Sequence, residues 1–444
     1  MTVSRTICLG FLVVIAVGTI LLMMPFANSA GIWNDPIVSL FTSASAVCVT
    51  GLVVADTGTD FSFWGQLLIL LLTQIGGLGY MTTTTFLILL TGKRFDLRHK
   101  RAIQQALDRP GISGSSNIIR SIVATTLIFE VTGMLLLLPV FVKDSGWQRG
   151  IWLAIFHSVS AWNNSGFSLF SDSFISYQSS ALLIFTISAL VILGGIGYQV
   201  ILEMFFWLHA RWNGKHETLT FSLGFKVATS TTIALIILGI IAFSLVELRV
   251  PERFGSLSSY ERFLIALFQS VSTRTAGFNS IDIYKMSNAG LFIVIALMFI
   301  GASPGGTGGG IKTATLRVLT SCTKSILQGK EEVIIYERKV SNSLIFKATG
   351  VLIGSVGTVI ISTVIISITD PNLPFIQILF EVVSAFATVG LSTGITAGLS
   401  SLGKIILIIT MYIGRVGILL LMSSIFGDPR PTQIHYPEES LLVG

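Results

Sequence analysis

Long apolar runs alternate with short polar segments along the whole chain, and their lengths predict membrane-crossing helices. A spanning helix needs about 20 apolar residues. Eight runs approach or exceed that length, the sixth interrupted by glycines: 7–26, 65–90, 118–141, 181–208, 224–246, 290–320, 344–368 and 404–426. Composition agrees, because 52% of the 444 residues are hydrophobic and only 11% are charged, whereas soluble proteins carry about 25% charged residues. The pattern predicts an all-α integral membrane protein.

Four shorter apolar stretches lie between the paired runs, at 36–47, 150–162, 260–272 and 374–386. Each is about a dozen residues long, which suits a re-entrant segment and is too short to cross a bilayer. Helices lying on the membrane surface are the alternative. The first long run could instead be a signal peptide, but it exceeds the apolar core of about 7–15 residues that such peptides have. It also fits the repeat described below, so we treat it as a helix.

Lysine and arginine concentrate on one side of the predicted helices. The segment 91–117 carries six of them and 321–343 carries four, whereas 27–63 has none and holds three aspartates. Because basic loops mark the cytoplasmic side, we expect these loops and, with eight spans, both termini in the cytoplasm, with the protein in the cell inner membrane. The net charge of +6 follows from this topology and requires no nucleic acid. The three cysteines have neither disulfide nor metal-site spacing, and no cofactor is expected.

One pattern occurs four times: FTSASAVCVTGL from Phe41, FHSVSAWNNSGF from Phe156, FQSVSTRTAGF from Phe268 and FEVVSAFATVGL from Phe380. Each copy begins with phenylalanine, has serine four residues later and reaches a glycine, and the third copy is one residue shorter. The glycines follow one another at intervals of 115, 111 and 113 residues. Repetition at a regular interval along a chain is typical of a fold built from repeated structural units. It predicts four units of helix, short half-helix, glycine turn and helix around a pseudo-fourfold pore.

The glycine turns are the candidate ion-selective part of this pore. A turn that follows a half-helix leaves backbone carbonyls unpaired, which membrane depth tolerates only where the backbone is buried or faces water. Four such turns on one axis would make a carbonyl ring, the arrangement that selects cations, and glycine permits the torsions it needs. A single glycine fits a tight turn equally well, but four in register favour a filter. The candidate filter residues are Val49, Thr50, Gly51, Asn164, Ser165, Gly166, Thr275, Ala276, Gly277, Thr388, Val389 and Gly390.

The glycine-rich stretch FIGASPGGTGGGIKT from Phe299 resembles a phosphate loop, but Ile311 interrupts the required G-K-[ST] end. The 11 residues from Gly290 to Ile300 span about 16 Å as a helix, roughly half of the hydrocarbon core. We therefore expect the helix to break near mid-membrane, with a gate loop across the permeation path and a passive kink as the alternative. The other second helices are expected to continue past their related motifs. The candidate gate-loop residues are Gly301, Ala302, Ser303, Pro304, Gly305, Gly306, Thr307, Gly308, Gly309, Gly310 and Lys312.

Charged residues inside the apolar runs are candidates for function, because such charges normally face the protein interior and have partners. Arg415 lies in MYIGRVGILLLM, at the repeat position of Ala302. We interpret it as the gate partner, which hydrogen-bonds to loop carbonyls and repels cations; a structural ion pair is the alternative. Glu130 and Glu203 are favoured as structural. Three further residues lie in or near the pore motifs, where a role as solvated caps explains them as well as a direct function does: Arg274, Glu381 and His157.

The motifs VTGL, NSGF, TAGF, TVGL, GASPGGTGGGIKT and GRVG together resemble the Trk/Ktr/HKT superfamily of potassium transporters over essentially the whole chain. The chain is most similar to the pore subunits of Ktr systems, since Trk proteins carry additional N-terminal helices. The resemblance implies K⁺ selectivity from the four glycines, because Na⁺-preferring plant relatives have serine at the first of these positions. It also implies an intramembrane gate loop, a homodimer with one pore per protomer, a cytoplasmic ring of KtrA-type RCK nucleotide-binding subunits, and transport often stimulated by Na⁺.

The expected function is potassium uptake through a channel-like pore embedded in membrane lipid. A Na⁺-permeable transporter is the nearest alternative. A membrane-embedded enzyme would need a catalytic constellation that the histidines and acids do not form, and a purely structural role leaves the repeat unexplained. The expected organisation is repeat 1 at 1–90, a loop at 91–117, repeat 2 at 118–208, a loop at 209–223, repeat 3 at 224–320 with the gate loop at 301–312, a loop at 321–343, repeat 4 at 344–426 and a tail at 427–444.

Overall fold

The computed structural model describes residues 3–79, 115–213, 220–248 and 257–427, which are mostly helical. Most of the predicted 91–117 loop, the end of the predicted 65–90 run and nearly all of the tail lie outside these ranges. The helices are α1 (Val3–Met23), α2 (Pro36–Val47), α3 (Phe63–Leu78), α4 (Ser115–Trp162), α5 (Ala181–Ile196), α6 (Tyr198–Trp212), α7 (Leu223–Val246), α8 (Ser259–Ser272), α9 (Asn288–Met298), α10 (Thr313–Leu327), α11 (Asn342–Thr369), α12 (Phe375–Ala387), α13 (Ser401–Val416) and α14 (Ile418–Phe426). A small hairpin of β1 (Ile334–Ile335) and β2 (Arg338–Lys339) lies between α10 and α11.

The helices form four repeats of first helix, pore helix and second helix, as the sequence repeat predicts. In the second repeat, α4 contains both the first helix and the pore helix, which Gly146 separates with a φ of +74°. Within the described ranges, four helices are long and apolar enough to cross a membrane, or six if each bent pair counts as one span. Of the eight predicted runs, the remaining two are α3, which reaches the edge of a described range, and the interrupted α9. The protein is a helical, multi-pass membrane protein.

The four short stretches are pore helices. Their C-terminal halves are buried, and the phenylalanine that opens each motif is at most 2% exposed: Phe41, Phe156, Phe268 and Phe380. A helix on the membrane surface would leave one face open along its whole length, so the surface-helix alternative is wrong. The long first helices instead carry the lipid-facing apolar side chains, such as Val13, Ile128 and Ile361, each at least 60% exposed.

The first helix and the pore helix pack through a contact that occurs in three repeats. A serine hydroxyl of the pore helix donates to a backbone carbonyl of the first helix. Three residues after that carbonyl, the first helix has a glycine, which leaves room for the serine hydroxyl. The hydrogen bonds are Ser43 to Ile15 (2.8 Å), Ser158 to Glu130 (2.6 Å) and Ser270 to Ile236 (2.7 Å). The glycines are Gly18, Gly133 and Gly239, where an added Cβ would lie 2.4, 2.4 and 2.2 Å from the serine oxygen. Each glycine therefore sets the distance at which its pore helix docks.

The second helices of the second and fourth repeats bend sharply, so the expectation that they continue is wrong for both. The turn from α5 to α6 is 103° and that from α13 to α14 is 94°. They pivot on Gly197 and Gly417, with φ of +99° and +86°, values that a right-handed helix cannot include. In the first repeat, Gly79 ends α3 at the matching position with φ +80°. A break at this position is therefore shared by these repeats, and the third repeat expands it into a loop at 299–312.

Candidate selectivity filter and gate loop

The four motif glycines meet in a closed ring. Each approaches the next turn so closely that an added Cβ would collide with the carbonyl oxygen of the residue before the next glycine. The distance from the added Cβ to that oxygen would be 2.0 Å for Gly51 and Ser165 O, 2.8 Å for Gly166 and Ala276 O, 2.4 Å for Gly277 and Val389 O, and 2.2 Å for Gly390 and Thr50 O. The contacts run through repeats 1, 2, 3 and 4 and return to repeat 1. The four turns therefore surround a common axis, with a ring of four carbonyl oxygens between them.

The backbone of each turn has the same unusual conformation. The ring glycines have φ from +73° to +93°, and the residue two positions earlier is also left-handed although it is not glycine: Val49, Asn164, Thr275 and Thr388, at +52° to +65°. A left-handed non-glycine residue costs about 1–2 kcal/mol. Four such residues at equivalent positions indicate a conformation imposed by the surroundings, and strain of this kind clusters at functional sites.

The repeated serine of each motif holds the turn from behind. Its carbonyl accepts the N–H of the middle filter residue in all four repeats: Thr50 to Ser45 (2.8 Å), Ser165 to Ser160 (2.9 Å), Ala276 to Ser272 (3.0 Å) and Val389 to Ser384 (2.8 Å). The third turn makes this bond across four residues and the others across five, because its motif is one residue shorter. The position four residues after phenylalanine is thus part of the filter scaffold, which explains its repetition.

A second scaffold position follows the phenylalanine directly, and it includes His157 and Glu381, for which polar caps were one explanation from the sequence. His157 contacts Ser168 Oγ at 3.1 Å through Nε2, and Gln269 donates to Ser280 Oγ at 3.3 Å. Glu381 accepts bonds from the hydroxyls of three residues and one backbone N–H: Ser392 Oγ, Thr393 N, Thr393 Oγ1 and Thr396 Oγ1. In these three repeats the side chain connects the pore helix to the segment that follows the filter turn. His157 and Glu381 therefore stabilise the backbone next to the filter turns.

The gate loop begins and ends at a narrow neck. Gly301 N donates to Ile311 O at 2.8 Å, and Thr313 N donates to Ala302 O at 3.3 Å. Thr313 Oγ1 and Ser303 Oγ are 2.9 Å apart. The break after α9 falls where the helix-length argument predicted it, since α9 has 11 residues and ends at Met298. The loop is thus a closed excursion between two half-helices and not a gradual kink.

The body of the loop docks on the second repeat through backbone hydrogen bonds. They are Ser303 N to Gly195 O (3.0 Å), Thr307 N to Gly194 O (3.1 Å) and Tyr198 N to Gly305 O (3.2 Å). The acceptor glycines lie in the last turn of α5, where the bend at Gly197 leaves carbonyls without helical partners. The bend in the second repeat therefore supplies the docking site for the loop of the third.

The far part of the loop lies against the filter itself. Gly309 N donates to Thr388 Oγ1 at 2.9 Å. An added Cβ on Gly308 would lie 2.0 Å from Thr275 Oγ1, and one on Gly309 would lie 2.6 Å from Thr388 Oγ1. Because Thr275 and Thr388 are the first residues of two candidate filter turns, the loop contacts the beginning of two of the four turns.

Three cationic side chains converge on the loop carbonyls. Arg415 donates to Thr307 O and to Gly76 O of the first repeat, Lys312 Nζ donates to Gly308 O at 2.6 Å, and Arg274 Nη2 donates to Gly301 O at 2.8 Å. Together with the docking on the second repeat, these contacts connect the loop to all four repeats. No Asp or Glu lies within 4.0 Å of these cations in the described ranges, so the ion-pair alternative for Arg415 has no partner there.

The two acidic residues that the sequence analysis favoured as structural lie apart from the loop. Glu130 accepts from Asn163 Nδ2 at 3.3 Å, behind the second filter turn. Glu203 accepts the N–H and hydroxyl of Ser222 at 3.0 and 2.7 Å, and so caps α7. Sequence reasoning missed the loop contact of Arg274. The available signal was an arginine inside a pore motif whose other copies hold Cys48, Asn163 and Ala387 at the same distance before the glycine.

A cavity of about 70 Å³ lies beside the loop, on the side of the second repeat. Its wall includes Gly77, Ile122, Trp162, Tyr198, Gly306 and Thr307. The loop is thus packed against the filter, whereas part of its contact with the second repeat borders this cavity. Among the described residues, no group of His, Cys, Asp and Glu could hold a metal ion.

Comparison with known proteins agrees with this geometry. A family model described as TrkH, cation transport protein, matches residues 6–425. Ktr system potassium uptake protein B of Vibrio alginolyticus is 39% identical over 440 residues, 99% of this chain and 94% of that protein. The protein of the same name from Bacillus subtilis is 35% identical over 444 residues, 100% of this chain and 97% of that one. Potassium/sodium uptake protein NtpJ of Enterococcus hirae is 35% identical over 445 residues, with 99% and 97% covered.

The crystal structure of the potassium transporter TrkH from Vibrio parahaemolyticus has the same fold, with a TM-score of 0.69 at 17% identity over 95% of this chain and 85% of that one. The resemblance drawn from the motifs is confirmed. These relatives are named potassium or potassium/sodium uptake proteins, so the protein is a membrane transporter and not an enzyme. With a fourfold pore in the structure and a family model matched over nearly its whole length, the chain belongs to the TrkH family of cation transport proteins.

Proposed function

We propose that this protein takes up potassium through a selective pore, with residues 49–51, 164–166, 275–277 and 388–390 as the filter. The observation that carries the proposal is the closed ring of Gly51, Gly166, Gly277 and Gly390, with a carbonyl oxygen at each contact. Carbonyl rings replace the hydration shell of K⁺ in selective pores. The names of the relatives from Vibrio and Bacillus, potassium uptake proteins of Ktr systems, support the same cation.

In this proposal the loop at 301–312 is the gate, and the structure is the closed state. The loop lies against two filter turns and is connected to every repeat. Its cationic partners add an electrostatic barrier, because Arg415, Lys312 and Arg274 concentrate positive charge on the path of a cation. Opening would require the loop to leave Thr275 and Thr388, and the cavity beside Thr307 offers space on one side.

A regulatory partner is proposed to act through α10. This half-helix begins at Thr313, directly after the loop neck, so that a displacement of α10 is transmitted to the gate. The hairpin that follows packs Val333, Ile335 and Val340 against Val227 of α7 and against α10. Ile326 and Leu327 at the end of α10 are 69% and 82% exposed. We propose that this face is cytoplasmic, as the basic loops indicate, and that it meets a KtrA-type RCK ring. Both termini would lie on that side, in a homodimer in the cell inner membrane.

A potassium pathway that also admits or responds to sodium is the second candidate. It is favoured by the similarity to the relative from Enterococcus hirae, which is named a potassium/sodium uptake protein. An added Cβ on each ring glycine would lie at unequal distances from the facing carbonyl oxygen, from 2.0 to 2.8 Å, so the ring has only approximate fourfold symmetry. Comparison of Rb⁺ and Na⁺ influx separates the two candidates.

The test is growth and flux in cells that lack their own potassium uptake. The chain is expressed with and without a KtrA-type partner, and growth at low K⁺ is measured together with Rb⁺ and Na⁺ influx. We expect rescue of growth and Rb⁺ influx that exceeds Na⁺ influx. Equal influx of both ions would support the second candidate. No rescue with any partner, at normal membrane levels of the protein, would defeat the proposal.

A further inference from the structure

We propose that Arg274 is a second latch of the gate loop, a positioning residue that holds the neck closed while Arg415 holds the body of the loop. The inference rests on the proposed gate function and adds a residue to it. Arg274 lies in the third pore motif, between the pore helix α8 and the filter turn, and it is only 7% exposed. Its guanidinium donates through Nη2 to Gly301 O at 2.8 Å.

The position of that hydrogen bond gives it leverage on the loop. Gly301 is the first residue of the neck, and its N–H is already bonded to Ile311 O at the other end of the loop. Arg274 therefore binds the point at which α9 gives way to the loop. Arg415 binds Thr307, six residues further along. Two latches at the root and the body of one loop resist movement more effectively than two at the same point.

The anchor of the latch is rigid. The carbonyl of Arg274 accepts from Asn164 Nδ2 at 3.4 Å, and the same amide donates to Thr275 Oγ1 at 3.3 Å. Arg274 N donates to Val271 O at 3.0 Å at the end of α8. The backbone that carries the arginine is thus held by the second and third filter turns, whereas the loop that it grips is a chain of glycines.

The bonding of the guanidinium fits a releasable contact better than a structural one. Within the described part of the chain, Nε and Nη1 of Arg274 have no hydrogen-bond partner, and no carboxylate pairs with it. Structural buried arginines normally have paired charge and satisfied donors. Here one hydrogen bond, to one loop carbonyl, is the whole connection, so that movement of Gly301 breaks it in a single step.

The distribution among the repeats points the same way. The residues three positions before the filter glycines are Cys48, Asn163, Arg274 and Ala387. Of the four pore motifs, the one with an arginine there belongs to the repeat whose second helix opens into a loop. A residue needed for the filter ring itself would be expected in more than one repeat.

The experiment compares Arg274→Gln, Arg274→Lys and Lys285→Gln in cells without other potassium uptake and without a regulatory partner. Glutamine is neutral and too short to reach Gly301 O, whereas lysine keeps the charge and most of the length. Lys285 is an exposed cation paired with Asp282 beyond the filter, and its variant is the control. Loss of a charge-assisted hydrogen bond favours the open loop about tenfold. We expect basal Rb⁺ influx to rise about tenfold with glutamine, by less than about threefold with lysine, and not at all in the control.

The ratio of Rb⁺ to Na⁺ influx distinguishes a latch from a filter residue. A latch changes total flux and leaves the ratio unchanged, so an altered ratio in Arg274→Gln overturns the proposal. Unchanged or reduced Rb⁺ influx at equal membrane levels also overturns it. If the glutamine variant does not accumulate, Arg274→Met, which fills the space of the stem, replaces it. If neither accumulates, the residue is required for folding and the latch is refuted. Absence of Rb⁺ influx in the unmodified protein with any partner would instead reject the proposed function itself.

Discussion

The ring of glycines predicts an ordered series of alanine variants. An added Cβ would lie 2.8 Å from the facing carbonyl oxygen at Gly166, 2.4 Å at Gly277, 2.2 Å at Gly390 and 2.0 Å at Gly51. Real Cβ contacts with heavy atoms do not fall below 3.0 Å. The backbone of a neighbouring turn must therefore move by a small fraction of an ångström at Gly166 and by about 1 Å at Gly51. We expect potassium uptake to fall in the same order.

The magnitude has two parts. A left-handed φ costs alanine about 1–2 kcal/mol at all four positions, which lowers the conducting population about five- to thirtyfold. Collision with a backbone oxygen adds overpacking, which costs about 1–3 kcal/mol and is largest at Gly51. Gly166→Ala should thus retain measurable uptake. Gly51→Ala should lose about a hundredfold or more, and Gly51→Ser should behave like it.

The assay is Rb⁺ and Na⁺ influx at matched membrane levels, with two glycine controls. Gly394 has φ +88° and open space around its Cβ position, so Gly394→Ala carries backbone strain without collision. Gly357 has open space within the helix α11, and Gly357→Ala should be neutral. If Gly166→Ala is as damaging as Gly51→Ala, the close approach of neighbouring turns is not what requires glycine, and the reasoning fails.

Further variants test the gate, the second helix and the first helix. Arg415→Ala removes two hydrogen bonds to carbonyls and should raise partner-independent Rb⁺ influx at least tenfold; unchanged influx with normal expression would contradict its role. Gly414→Ala places a Cβ 1.7 Å from Phe386 O, so the protein should scarcely accumulate in membranes, and normal accumulation would count against the packing described. Gly18→Ala collides with Ser43 Oγ at 2.4 Å and should lower the melting temperature, whereas the double variant with Ser43→Ala should recover part of the loss; no recovery would show that the hydroxyl is not the obstacle.

The ring of glycine turns and the broken helix were predictable because each leaves a local mark on the sequence. The turns repeat at nearly equal intervals, and α9 is too short to cross a membrane. The bends at Gly197 and Gly417 were missed because a single glycine inside an apolar run is also compatible with an unbroken helix. The contact between Arg274 and Gly301 joins residues that are 27 positions apart, and no periodicity encodes it. Contacts of this kind depend on how the folded repeats pack against one another, and the pattern of residues along the sequence does not encode that packing.

Within the described ranges the loop belongs to the third repeat alone, and under the proposed gating this determines the kinetics of opening. In a pore built from four identical subunits, every subunit contributes an equal gate, and opening passes through partly opened intermediates. In the proposed gate, one loop at 301–312 closes a ring to which four different repeats each contribute a turn. Opening would then be one event, and after a sudden stimulus the flux should rise without the initial lag that several independent gates in series produce. Because the four repeats differ in sequence, a substitution can also change the gate without appearing in all four quarters of the filter.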